Sequence, residues 1–161
     1  MIEHQETNSI EMASIIEELR KKIENERDLN PSDYLEKDIQ LLYSIAHKHY
    51  TIDQYDKAEA LFIRLVLARP NDVAYWKGLA SCRQMQKDFS GALIAWGMCA
   101  TIYPEDLSYH IYGAECLYFL NELGEASRAI SFVESKINDQ NPFYPKYIKI
   151  KRSIEGGNDG N

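Results

Sequence analysis

The amino-acid sequence predicts an all-α fold built from repeated pairs of helices. Apolar residues recur every three or four positions through most of the 161 residues, which is the spacing of an amphipathic helix. The pattern of small and large side chains also repeats at a fixed offset of 34 residues. A fixed offset of this size is typical of stacked helix pairs, so the two observations agree on the fold class.

The repeat is clearest where small residues and a proline recur together. Ala58 and Pro70 align with Ala92 and Pro104, each 34 residues later. The same offset relates further sets: Leu42 and Trp76; Ile45 and Leu79; Ala46, Ala80 and Ala114; Tyr55 and Phe89; Phe62, Trp96 and Ile130; Ala92 and Ala126. Small residues let two helices approach closely, and proline ends the second helix of a pair. This layout is the signature of the tetratricopeptide repeat.

The repeats divide the chain into four predicted segments. They are an N-terminal helical segment at 1–35, three tetratricopeptide repeats at 36–138, a C-terminal helix at 139–154 and a disordered tail at 155–161. The repeats span 39–72, 73–106 and 107–138, with predicted helices at 39–52, 54–69, 73–86, 88–102, 107–120 and 122–136. We expect the stacked pairs to form a right-handed superhelix.

Composition argues against nucleic-acid and membrane partners. The net charge of −7 disfavours nucleic acid, which requires a basic protein surface. The longest uncharged run, which includes Ser90 to Pro104, is too short to span a bilayer, so we expect no membrane insertion. Four basic residues near the end are interpreted as complementing the C-terminal dipole of the last helix: Lys146, Lys149, Lys151 and Arg152.

No constellation of catalytic or metal-binding residues stands out in the sequence. His47 and His49 are two positions apart on a predicted helix, so they point in different directions and cannot easily share a metal. Cys82, Cys99 and Cys116 are expected to be small buried residues in a reducing compartment. We therefore expect no cofactor and no metal, and an enzyme is the least favoured class of function.

An apolar stripe marks one face of the predicted N-terminal helix. It consists of Met12, Ile15, Ile16, Leu19 and Ile23. A stripe of this kind must be covered, either by packing on the first repeat as a cap or by a second copy of the chain. The pattern alone leaves both possibilities open.

The first helix of each repeat is expected to line a concave peptide-binding groove. On that register the groove residues include Tyr43, His47, Tyr50, Lys77, Ser81, Gln84, Ile111 and Glu115. Tyr55 and Phe62 of the second helix are added as walls of the pockets beside Tyr43 and Tyr50. One large tetratricopeptide class binds the C-terminal carboxylates of heat-shock chaperones with Lys and Asn where this chain has Tyr43 and His47, so that clamp is missing. We expect an extended internal segment of a partner, with apolar side chains between the aromatic residues. Tyr55 and Phe62 are equally consistent with packing inside their own repeat.

Several short strings resemble a known family. They are Leu42–Ala46 followed by Tyr50 and Gln54–Tyr55, then Gly78–Gln84, Gly113–Leu117 and Gly124–Ala126. Across about residues 36–136 the chain resembles the class II type III secretion chaperones, which serve pore-forming translocator proteins. The acidic charge, the N-terminal helix and the three repeats are similar as well.

The resemblance implies a chaperone in the bacterial cytoplasm that binds hydrophobic translocator proteins before export and keeps them soluble and apart. Its client would carry a short extended motif that contains Pro and Leu. The resemblance also favours a weak homodimer through the N-terminal helix. The alternative is a tetratricopeptide scaffold or adaptor subunit of another assembly. A secreted client would favour the chaperone, whereas a permanent stoichiometric complex would favour the scaffold.

Overall fold

The computed structural model describes residues 13–15 and 34–158, and all its regular elements there are helices. A short helical stretch at 13–15 is followed by seven helices: α1 (Glu36–Thr51), α2 (Tyr55–Ala68), α3 (Val73–Met85), α4 (Phe89–Ile102), α5 (Leu107–Phe119), α6 (Leu123–Glu134) and α7 (Tyr144–Asn158). The predicted all-α class is confirmed over this part of the chain, which contains no strand.

The chain divides into two compact units, residues 1–75 and 76–161. In the first unit α1 packs against α2, and in the second α5 packs against α4, α6 and α7. Each helix pair is joined by a turn of a few residues, which makes its two helices antiparallel neighbours.

The six alanines that mark the repeat are all buried in the core. Each has no exposed surface, as the period predicted: Ala46 and Ala58, Ala80 and Ala92, Ala114 and Ala126. A larger side chain at these places would hold the two backbones apart. Their complete burial is what the prediction of close helix approach at small residues requires.

The turns and helix starts repeat with the same period as the alanines. Asp53, Lys87 and Asn121 lie in the left-handed backbone region, with φ of 60°, 63° and 62°. They are spaced by 34 residues and each lies in the turn inside a helix pair. Asp72 accepts a hydrogen bond of 2.9 Å from the Ala74 amide, and Asp106 accepts one of 2.9 Å from the Ser108 amide. These carboxylates satisfy amides at the helix starts that have no partner within the helix.

The C-terminal helix differs from its prediction at both ends. It begins at Tyr144 rather than 139, because the Asn141 side chain accepts from the Phe143 amide at the turn before it. It ends at Asn158, so residues 155–158 are helical where a disordered tail was predicted. Buried Ile154 anchors this end, and Lys151 lies 3.9 Å from Glu155 one turn later.

The last helix is held to the second unit by apolar packing and by an ion pair. Tyr147, Ile150 and Ile154 of α7 are buried in one cluster with Ile111 of α5 and Val133 of α6. Lys151 of α7 also pairs with Glu134 at the end of α6. The helix face that carries Tyr147, Ile150, Lys151 and Ile154 therefore holds α7 against α5 and α6.

The predicted N-terminal stripe lies almost wholly outside the described residues. Ile15 is part of the helical stretch at 13–15 and is half-buried. Met12, Ile16, Leu19 and Ile23 lie outside the described residues, so the cap and dimer hypotheses both remain predictions.

Replacing Gly91 with alanine should destabilise the second unit, whereas the same change at Gly97 should stabilise it. A Cβ at Gly91 would lie 2.1 Å from Asp88 Oδ2 and 2.9 Å from Arg83 Cδ. Relieving this clash displaces the Asp88 cap, whose Oδ1 accepts from the Gly91 amide at 2.9 Å, at a cost of about 1 kcal/mol. Gly97 is exposed in α4 with nothing near its Cβ position, so alanine there should gain about 1 kcal/mol of helix propensity. Urea unfolding of both variants checks this, and shifts of the same sign would contradict it.

The three cysteines should be unreactive in the native protein. All are buried, and burial raises the pKa of Cys99 and of Cys116 from 9.0 to about 12. At pH 8 that shift lowers the thiolate fraction of each by about a thousandfold, and the thiolate is the nucleophile. Iodoacetamide followed by mass spectrometry should label none of them in buffer and all of them in urea. Rapid native labelling of Cys99 or Cys116 would contradict their placement in the core.

Candidate functional site

An aromatic cluster forms around Tyr43 in the first unit. The Tyr43 ring lies 4.6 Å from His47, 5.4 Å from Tyr75 and 6.2 Å from Phe62, measured between centroids. Phe62 is 1% exposed and Tyr75 is buried, whereas Tyr43 is half-buried and His47 exposed. Tyr43 and His47 therefore form an outer aromatic layer over a buried one.

A second aromatic pair joins the end of α1 to the start of α2. Tyr50 and Tyr55 are half-buried, and their rings meet edge to face at 5.4 Å. The Tyr55 hydroxyl donates to Asp53 Oδ1 at 2.5 Å, which ties this pair to the left-handed turn. Both tyrosines keep part of their surface open while they pack beside the turn, so the local packing role is visible and the binding role stays a prediction.

The groove residues predicted in the second unit fall into two groups. Lys77 is exposed, and Ser81, Gln84 and Glu115 are half-buried. Ile111 is 0% exposed, because the buried residues of α7 cover it. Ile111, like Phe62 in the first unit, is thus a core residue here and not open groove wall. The repeat register placed Ile111 on a helix face but carried no information on what covers that face.

Gln84 and Glu115 belong to a hydrogen-bonded network. The Gln84 amide donates to Glu115 Oε2 at 2.6 Å, and the Trp96 indole donates to Gln84 Oε1 at 2.9 Å. Lys146 of α7 donates to both Glu115 oxygens, at 2.8 and 2.7 Å. Two predicted groove residues are therefore brought together, and a lysine that was not predicted to join them completes the network.

The lysine also lies against an aromatic wall. Its Nζ is 4.7 Å from the centroid of the Tyr112 ring, and that ring stacks on Trp96 at 4.5 Å with an angle of 11° between planes. Burial, followed by the Glu115 carboxylate, raises the pKa of Tyr112, so its phenol is neutral at physiological pH. The ring can then offer its electron-rich face to an ammonium group.

Lys146 is the member of this network that the sequence interpretation misplaced. The basic cluster was expected at the C-terminal end of the last helix, but Lys146 lies in the first turn of α7. Its partner Glu115 is 31 residues away in the chain, and no repeat period relates the two. The sequence offers one sign that a basic partner is needed, which is the lone acidic residue Glu115 on the predicted groove face of α5.

Metal-binding and membrane-spanning features are absent from the described part of the chain. No group of three or more His, Cys, Asp or Glu residues within 13–15 and 34–158 is arranged to hold a metal ion. None of the helices described over these ranges has the length and apolar character needed to cross a bilayer.

Comparison with known proteins shows what the chain is similar to. No family model matches the chain. The chain is 27% identical over 124 residues to the low calcium response locus protein H of Yersinia pestis, across 77% of this chain and 71% of that protein. It is also similar to the Yersinia enterocolitica type III secretion chaperone SycD, solved with a peptide of the translocator YopD. That match has a TM-score of 0.69 and 22% identity, and covers 77% of this chain and 95% of SycD.

The chain resembles the class II type III secretion chaperones in sequence and in fold. The fold alone is shared more widely, since the first tetratricopeptide domain of Spaghetti (RPAP3), solved with an HSP90 peptide, matches with a TM-score of 0.67 at 16% identity. That match covers 77% of this chain and 95% of the Spaghetti domain. The tetratricopeptide-type fold is thereby confirmed. Beyond the fold, the chain has a sequence similarity of 27% identity to the Yersinia pestis protein.

Proposed function

We propose that this protein is a chaperone of type III secretion translocators. It binds an extended client segment in the bacterial cytoplasm, keeps hydrophobic clients soluble and apart before export, and uses neither catalysis nor a cofactor. The observation that carries the proposal is the 27% identity to the low calcium response locus protein H through 77% of the chain. The SycD chaperone, similar in fold, was solved with a translocator peptide, which is the kind of ligand proposed here.

The aromatic layer of the first unit suits such a client. Tyr43 and His47 lie over buried Phe62, so an apolar side chain of the client can contact rings that are already packed in place. A tyrosine ring buries apolar area while its hydroxyl can bond to the backbone of an extended peptide. A Pro- and Leu-containing segment presents apolar side chains at low ordering cost, which matches this surface.

The scaffold or adaptor alternative rests on the similarity to the Spaghetti domain. That domain was solved with an HSP90 peptide, and this chain has Tyr43 and His47 where the carboxylate-binding class has Lys and Asn. Without the charged clamp, a C-terminal carboxylate gains no ion pair at these positions. This difference favours an apolar internal segment over a C-terminal ligand.

Affinity purification of the tagged full chain from its native bacterium should recover a hydrophobic secreted protein of the translocator class, identified by mass spectrometry. When secretion is induced, the amount recovered should fall, because an exported client leaves the complex. A resident protein recovered in constant stoichiometry under both conditions would instead establish the scaffold function.

Changing Tyr43 and Tyr50 together to leucine should weaken capture of that client by about thirtyfold, as expected for losing interface anchors worth about 2 kcal/mol. Leucine keeps apolar volume against Phe62 and Tyr55, so the fold should survive; circular dichroism checks this. Tyr103→Leu is the matched control, because Tyr103 is an exposed tyrosine outside the predicted groove. Titration calorimetry giving equal affinities for both variants would place the binding surface elsewhere.

A further inference from the structure

The Glu115 carboxylate and the Tyr112 ring together form a site for a cation. The ammonium group of Lys146 lies 2.8 and 2.7 Å from the two carboxylate oxygens and 4.7 Å from the ring centroid. A carboxylate beside an aromatic face is a combination that recognises lysine and arginine side chains. The chain therefore fills this site with a residue of its own.

The walls of the site are fixed by residues that do not touch the cation. Trp96 stacks on Tyr112 and donates its indole hydrogen to Gln84, and Gln84 in turn donates to Glu115. One tryptophan thus orients the ring directly and the carboxylate through Gln84. These contacts do not involve Lys146, so the pocket should keep its shape when the lysine leaves.

The lysine is poorly placed for a purely structural role. It lies in the first turn of α7, where the helix dipole disfavours a positive charge. The docking of α7 is already provided by Tyr147, Ile150 and Ile154 and by the Lys151–Glu134 pair. The Lys146 side chain is 28% exposed and that of Glu115 13%, so the lysine lies on the solvent side of the carboxylate. It can swing out without moving the helix.

We propose that Glu115 and Tyr112 form a cation pocket for a Lys or Arg side chain of the client, and that Lys146 fills this pocket as an internal competitor until the client binds. The client part of this inference rests on the proposed chaperone function. The exchange replaces one cation with another, so the half-buried carboxylate is never left unpaired. Arginine should be the stronger competitor, because its planar guanidinium bonds a carboxylate through two parallel hydrogen bonds.

The first experiment tests the pocket without any client. In the full chain, Lys146→Ala removes the internal ligand, and n-butylammonium chloride replaces the missing side chain. Butylammonium should raise the thermal midpoint of this variant by about 2 °C or more in a saturable manner. The double variant Lys146→Ala with Glu115→Gln should show no saturable rise, and Lys149→Ala, which removes an exposed lysine of the same helix, should behave like the unchanged protein. Equal responses of the single and double variants would overturn the pocket.

The second experiment tests competition with the translocator recovered by affinity purification. Lys146→Gln keeps a hydrogen-bond donor beside Glu115 but removes the charge, so it preserves the fold even if the alanine variant unfolds. It should bind the client about tenfold more tightly than the unchanged protein, while Lys149→Gln should bind as the unchanged protein does. Glu115→Gln should weaken binding. Unchanged or weaker binding by Lys146→Gln would overturn the proposal that the lysine competes with the client.

If no translocator is recovered, the proposed chaperone function fails. The butylammonium experiment still decides whether the cation pocket exists.

Discussion

The close approach of two helices at buried alanines is the constraint on which each helix pair depends. Ala46 with Ala58, Ala80 with Ala92 and Ala114 with Ala126 have no exposed surface. Small residues let two helix backbones approach closely. The large residues four positions after Ala58 and Ala92, Phe62 and Trp96, are buried as well. The geometry of a pair is thereby set by its smallest residues, and the exposed faces of its helices remain free to vary.

This constraint explains why the fold could be predicted from one sequence. The alanines, the prolines and the large residues recur at 34-residue spacing. The alanines and large residues indicate where helices pack, and the prolines indicate where they end. The left-handed residues Asp53, Lys87 and Asn121 share that spacing, but the sequence does not reveal their conformation. They are three different residue types and none is glycine. Their conformation is imposed by the short turn between two packed helices, a tertiary effect that overrides local preference.

The candidate site was predictable only in part, for a related reason. The repeat register predicts which face of a helix points inward. It placed Gln84 and Glu115 on that predicted face, and the two side chains meet in one network. The register cannot show which residues of a different helix pack on that face. Ile111 is covered by α7, and Glu115 is paired with Lys146, which belongs to no repeat. Contacts between repeated and non-repeated segments leave no periodic trace in the sequence.

A fold that fixes its helix pairs with small residues separates stability from recognition. The Spaghetti domain has a similar fold and was solved with an HSP90 peptide, whereas SycD was solved with a translocator peptide. Here the inward positions carry Tyr43 and His47 in one unit and the Glu115 network in the other. Neither set includes a helix-crossing alanine, so both can change without altering the crossings. The repeat pattern leaves these side chains unspecified, so any proposal about the partner has to be argued from their chemistry rather than from the fold.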